Sequence, residues 1–307
     1  DKDFGWDAFV SYPGHQVIEM GLVKLYRVTG ERRYLDLAKF FLDARGTRED
    51  GDEYAQSHMK VVDQTEAVGH SVRATYMYSG MADVASILRD EAYVNAITRI
   101  WEDLVHRKMY ITGGIGASGG NEGFAEPYHL PNMTAYCETC ASIGSIFFNH
   151  RMFSMHGEGR YFDILEKTLY NGALSGVSLT GDRFFYPNPL ESDGRHARSP
   201  WFGCACCPSN ICRFIPAIPG YIYSVTDDDL YVNLFASNEA KISFGNKEVT
   251  VTQQTDYPWD GKVTMTVSPE KEGRFSLHIR IPGWAAMRPY PGDCTGLPEV
   301  WLKSTLC

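Results

Sequence analysis

No run of 18 uncharged apolar residues occurs anywhere in the 307-residue sequence, so it encodes no membrane-spanning helix. No basic stripe is present either. The 29 Lys and Arg are scattered against 38 Asp and Glu, for a net charge of −9. That excludes nucleic acid and anionic membranes as partners, because both demand neutralisation of phosphates. No basic segment followed by an apolar one opens the chain, so no signal peptide is visible and a cytoplasmic location is expected. The abrupt start at Asp1-Lys2-Asp3-Phe4-Gly5-Trp6 reads as a truncation. Low-complexity tracts are missing, and 44% hydrophobic residues are enough to build a large core. The cysteines do not form the spread-out framework of a disulfide scaffold: six of the eight fall between positions 137 and 212, in two tight clusters. Neighbours such as Cys206 and Cys207 bond to each other only with strain. The pattern points to metal or thiolate chemistry in a reducing compartment.

What is there divides in two, as about 150 residues per domain would suggest. The first two thirds carry helical periodicity. Ile18, Leu22, Leu25 and Tyr26 share one face of a predicted helix over residues 15–28, and Leu35, Ala38, Phe41 and Leu42 share one over 32–45. The intervening turn recurs. Polar residues lead into Tyr34-Leu35-Asp36, Tyr93-Val94-Asn95 and Tyr161-Phe162-Asp163, with the tyrosines 59 and 68 residues apart. Repeating helix pairs mean a solenoid or a closed toroid, and the long inserts between units favour the toroid, with three of six pairs visible. One insert, residues 112–124, holds six glycines in 13 positions. It lacks the Lys-Ser/Thr ending of a phosphate loop and is expected to bring its backbone close to a ligand. Beyond residue 221 the period becomes two, as in Leu230, Val232 and Leu234 or Phe275, Leu277, Ile279 and Ile281. This predicts a β-sandwich of short antiparallel strands. Asp227-Asp228-Asp229 reads as a solvated turn, since no spaced calcium ligands follow.

Two segments concentrate the chemistry: Tyr136-Cys137-Glu138-Thr139-Cys140 and Gly203-Cys204-Ala205-Cys206-Cys207-Pro208-Ser209-Asn210. Five thiols and a carboxylate suit Zn²⁺, and two ligand sets compete. Spacing alone favours Cys137 and Cys140 with Cys204 and Cys207, a closed four-cysteine zinc knot in a non-catalytic carbohydrate-binding or structural protein. The other set is Glu138, Cys140, Cys206 and Cys207. Context supports the second, because zinc knots serve small domains that lack a core.

These segments resemble glycoside hydrolase family 127, the zinc-dependent β-L-arabinofuranosidases, as do Ala67-Val68-Gly69-His70, Gly120-Asn121-Glu122-Gly123 and Phe185-Tyr186-Pro187-Asn188-Pro189-Leu190. The resemblance covers about residues 11–285. It implies a mainly α fold with a β C-terminal part. Residues 1–220 would form the C-terminal half of an (α/α)6 catalytic barrel, 221–285 a β-sandwich region and 286–307 an irregular tail. It implies a retaining glycoside hydrolase with zinc held by Glu138, Cys140, Cys206 and Cys207. Cys206 would be the nucleophile, Glu122 the general acid/base, and His70 and Tyr186 contacts to the sugar. Cys137 and Cys204 become non-ligands. The substrate is expected to be an arabinofuranoside-type carbohydrate, and the full-length protein a homodimer through its β region. Glu122 is expected to be protonated before the first step, in a low-polarity setting beside Phe124. Glu66, His15, His129 and Glu126 are further candidates for the same pocket. An isomerase or lyase on the same barrel ranks last, since it would need no thiol cluster.

Overall fold

The computed structural model describes residues 3–286 and the backbone of 301–306. The chain separates into two compact units, Asp1–His156 with Ile164–Cys212, and Gly157–Asp163 with Arg213–Cys307.

Helices fill the first unit, with tight turns at the tyrosine motifs of Tyr34 and Tyr93; the third motif, at Tyr161, opens the helix Gly159–Thr168 within the segment that belongs to the second unit. The elements are α1 (Ile18–Thr29), α2 (Arg32–Asp43), α3 (Ser71–Leu88), α4 (Glu91–Arg107), α5 (Thr139–His156), α6 (Gly159–Thr168) and α7 (Cys206–Phe214). The turns themselves follow from local chemistry. Gly30 ends α1 in the left-handed conformation at φ 73°, which costs glycine nothing. The Asp90 carboxylate caps α4 by accepting from the backbone N–H groups of Ala92 and Tyr93.

Sequence composition separates inner from outer helices. Fourteen of the 18 residues of α3 and 12 of the 18 of α5 are buried, well beyond one stripe of each helix, and the two pack on each other. Gly144 allows the approach: a Cβ there would lie 2.2 Å from Thr75 Oγ1. Helices α2 and α4 are amphipathic, with single buried stripes such as Tyr93, Ala96, Ile97, Ile100, Trp101 and Leu104. Trp101 is fully buried and its indole N–H donates to Asn149 Oδ1 at 2.8 Å. Truncating such a ring to alanine costs about 3–5 kcal/mol.

The second unit is a sandwich. One sheet has the order β1 (Tyr223–Val225), β2 (Asp229–Val232), β6 (Phe275–Arg280), β7 (Trp301–Leu306), and the other β3 (Asn238–Phe244), β4 (Lys247–Thr255), β5 (Val263–Pro269). Leu230, Val232, Phe244, Val249, Val251, Phe275 and Leu277 fill its core. The all-antiparallel expectation fails at one place. β2 and β6 run parallel, with Leu230 opposite Leu277, because the chain crosses to the β3-β4-β5 sheet and back between them. Two-residue periodicity shows which face is buried but not which direction a neighbour runs.

The segment Gly157–Asp163 belongs with the sandwich because Asp163 Oδ1 accepts from Arg280 Nη1 at 2.6 Å and from the Gly283 N–H at 3.0 Å. Residues 301–306 depart from the expected irregular tail: they form β7, antiparallel to β6. The rest of the expected tail, 287–300 and 307, lies outside the described residues.

Candidate active site

The cysteine clusters meet because both sit at helix starts. Glu138 directly precedes α5, Cys140 lies in its first turn, and Cys206 and Cys207 open α7. The unpaired N–H groups and positive dipole of a helix N-terminus favour negative charge, so both donor pairs stand where anions are stabilised.

One ligand atom from each of Glu138, Cys140, Cys206 and Cys207 lies within 4.8 Å of the others. Cys207 Sγ is 3.3 Å and Cys206 Sγ 3.6 Å from Glu138 Oε1, and the two sulfurs are 3.9 Å apart. Hydrogen bonds from Cys140 and Cys207 hold the Cys206 thiol far below its usual range. Its hydrogen bond to Cys206 pushes Cys140 up, and burial pushes Cys207 up. Burial, then the charge of Cys206, raises the Glu138 carboxyl to about 8. Three of the four donors are thus pushed up, and a bound cation would relieve them. The buried Glu138 Oε2 has no hydrogen-bond partner. Three thiolate donors and one carboxylate, four in all, suit Zn²⁺.

The four-cysteine knot is not assembled. Cys137 is buried in a cluster with Tyr110, Ala117 and Ala135, where burial pushes its thiol up to about 12. Cys204 is exposed.

A second cluster adjoins the first at Glu138: one atom each of His70, Glu122 and Glu138 fall within 4.8 Å of one another. Its geometry starts from two glycines. Gly69 adopts φ 69°, and a Cβ there would strike the Glu53 carbonyl oxygen at 1.9 Å. A Cβ on Gly123 would lie 2.0 Å from the Gly69 carbonyl oxygen. These glycines allow the antiparallel bridge between His70 and Gly123, which sets Glu122 beside His70. Glu122 itself has φ 52°, unusual for a residue with a Cβ. Its carbonyl oxygen accepts from the Ser71 N–H at 3.1 Å and from Ser71 Oγ at 3.0 Å.

His70 caps α3. Its Nδ1 accepts from the N–H groups of Val72 at 3.2 Å and Arg73 at 3.4 Å. The ring proton is therefore on Nε2, which lies 3.0 Å from Glu122 Oε2 and donates to it. Burial holds the imidazole below its ordinary pKa. The Tyr136 hydroxyl donates to Glu122 Oε1 at 2.9 Å. The expected low-polarity surroundings beside Phe124 are thus replaced by two polar partners.

Tyr186 is placed by stitching of its loop to the 136–139 segment. Asn188 Nδ2 donates to the Cys137 carbonyl at 3.0 Å and to Thr139 Oγ1 at 2.9 Å. The Asn188 N–H donates to the Tyr136 carbonyl, also at 2.9 Å. The Tyr186 hydroxyl lies 3.0 Å from Cys206 Sγ.

The glycine-rich insert packs on neighbouring segments of the chain. Gly113, Gly114 and Gly116 pack against Thr168, Cys137 and Ser71, at 2.6–3.0 Å from a hypothetical Cβ, so the close approach is to the protein's own chain. Among the further candidates, the His15 ring stands 6.2 Å from that of His70. Glu66 is paired with Lys108 at 2.9 Å, and His129 and Glu126 share a backbone turn. Tyr136 was missed as a site residue by sequence reasoning, although it heads the very segment that carries Glu138 and Cys140.

Comparison with known proteins shows which family the chain belongs to. Residues 8–220 match the family model described as the β-L-arabinofuranosidase GH127 catalytic domain, and residues 229–295 match the GH127 middle domain. A non-reducing end β-L-arabinofuranosidase of Bifidobacterium longum subsp. longum is 39% identical over 89% of this chain and 46% of its own length. A solved GH127 β-arabinofuranosidase is 54% identical with a TM-score of 0.90, over 94% of this chain and 45% of that one. A GH127 β-L-arabinofuranosidase from Geobacillus stearothermophilus T6 is 40% identical with a TM-score of 0.89, over 99% of this chain and 54% of that one. The chain spans about half the length of these relatives. A match over both domains, together with the assembled Glu138, Cys140, Cys206 and Cys207 cluster, establishes that this chain belongs to glycoside hydrolase family 127.

Proposed function

We propose that the protein is a retaining β-L-arabinofuranosidase in which Cys206 is the nucleophile and Glu122 the general acid/base. The supporting observation is the convergence of the Cys206 sulfur and the hydrogen-bonded Glu122 carboxyl group on one residue, Glu138, which belongs to both clusters. A retaining glycosidase needs one nucleophile and one proton donor flanking the scissile bond, a pair usually made of two carboxylates. Here a thiolate takes the first place.

Glu138, Cys140, Cys206 and Cys207 would hold zinc. When bound, zinc supplies the positive charge that keeps the thiolate ionised and fixed in position. In the first step Cys206 Sγ bonds to the anomeric carbon, the glycosidic C–O bond breaks, and the leaving oxygen takes the Glu122 proton. In the second step water attacks the same carbon and gives a proton to Glu122 as the C–S bond breaks and returns the thiolate. His70 and Tyr186, beside Glu122 and Cys206 respectively, orient the sugar.

Activity of single variants on p-nitrophenyl β-L-arabinofuranoside, together with bound-metal analysis, tests this reading. Cys206→Ala and Glu122→Gln should each abolish most turnover. A Cys137→Ser protein that loses zinc beside a Cys206→Ser protein that keeps both zinc and activity would overturn it.

A further inference from the structure

Glu122 has a different neighbour on each carboxyl oxygen. Oε2 faces His70 Nε2 at 3.0 Å, and Oε1 faces the Tyr136 hydroxyl at 2.9 Å. The two neighbours differ in what they tolerate. His70 Nδ1 is committed as an acceptor to the first N–H groups of α3, so Nε2 can only donate. A proton on Oε2 would have to share that oxygen with a fixed N–H. A tyrosine hydroxyl both donates and accepts and turns about its C–O bond, so it adapts to a neighbour with or without a proton. The backbone fixes this asymmetry: the bridge between His70 and Gly123 holds the carboxyl's chain, and Tyr136 lies immediately before Cys137, whose N–H donates to the Gly116 carbonyl at 2.8 Å.

We infer that Tyr136 is a positioning residue for Glu122, and that the proton passed to the leaving oxygen is carried on Oε1, beside Tyr136, while His70 keeps Oε2 as the acceptor oxygen. This rests on the reading of Glu122 as the acid/base. When the glycosidic bond breaks, the Oε1 proton goes to the leaving oxygen and the Tyr136 hydroxyl donates to the vacated oxygen. When water is later deprotonated, Oε1 regains a proton and the hydroxyl turns away.

The test compares leaving groups in the zinc-loaded protein. Departure of 2,4-dinitrophenolate needs no proton, whereas departure of methoxide does. Tyr136→Phe should lower kcat/KM for the methyl β-L-arabinofuranoside by about tenfold or more and leave that for the dinitrophenyl glycoside within about threefold. Tyr136→His, which keeps a donor, should recover part of the methyl glycoside activity. Glu122→Ala serves as the reference. If it shows the leaving-group split and Tyr136→Phe does not, whether by losing both substrates equally or by losing neither, the positioning role is overturned alone. If Glu122→Ala shows no split, the acid/base reading falls and this inference falls with it. Should Tyr136→Phe fail to fold, the same comparison is made with Tyr136→His: a uniform loss on both substrates would overturn the role, and a loss confined to the methyl glycoside would support it.

Discussion

Cys207 Sγ lies 3.3 Å from Glu138 Oε1, although the two residues are separated by all of α5 and α6 and a long loop. The contact joins the starts of two helices and shuts one side of the donor cluster, since both residues are buried.

Metal should therefore stabilise the folded chain. A chelator that strips zinc should lower the melting temperature, and a site saturated to 100 times its Kd should contribute about 2.7 kcal/mol. Glu138→Gln, Cys140→Ser and Cys207→Ser should lose metal and that increment. Cys137→Ser and Cys204→Ser should retain one zinc per chain by elemental analysis. Zinc loss in the second pair with retention in the first would contradict the ligand set.

Gly123→Ala should damage both fold and site. The added methyl would sit 2.0 Å from the Gly69 carbonyl oxygen, and forcing atoms into a packed position costs about 1–3 kcal/mol or more. Urea titration should show the loss. Activity should fall further than stability accounts for, because the bridge that sets Glu122 beside His70 is broken.

Asn188→Ala should act at a distance from the reacting groups. Its amide serves the Cys137 carbonyl and Thr139 Oγ1, and stranding such acceptors costs about 1–3 kcal/mol. With the loop loosened, Tyr186 should lose its place beside Cys206. The expected kinetic sign is a raised KM with zinc content unchanged.

The sandwich should show a small acid-labile component at Asp229. The hydrogen bond from His278, then that from Thr226, holds its carboxyl below the ordinary value. A depressed carboxylate stabilises the fold at pH values above the unfolded pKa of about 3.9, and that stability is lost as pH falls through the lower folded value. Asp229→Asn should therefore melt earlier than the parent at pH 7, with the gap closing below about pH 3. A gap that stays constant with pH would rule this out.

Much of the helical unit was legible in the sequence, because helix pairs joined by tight turns leave a local signature. The Tyr34, Tyr93 and Tyr161 motifs mark all three turns. The parallel β2–β6 pairing left no such trace, since it depends on a crossover through another sheet. The site was legible in kind but not in detail. Cys-x-x-Cys spacing suits a knot on paper, and only the context of a large core and the family resemblance favoured the set that the structure assembles. What decides in the fold is where α7 begins: Cys206 and Cys207 are in the helix and Cys204 is not. His70 as a cap escaped notice although its partners Val72 and Arg73 are local, because histidine is not among the usual capping residues, and Tyr136 as a donor to Glu122 left no trace because it depends on how the glycine-rich insert folds against the 136–139 segment.

The buried Cys137 carries one further consequence. Cys137 and Cys140 have the spacing of a two-thiol chelate. Burial of the Cys137 sulfur in the apolar cluster beside Tyr110 takes it out of that pairing. Packing of one small side chain thereby acts as negative selection among donors, leaving Cys140 to Glu138, Cys206 and Cys207.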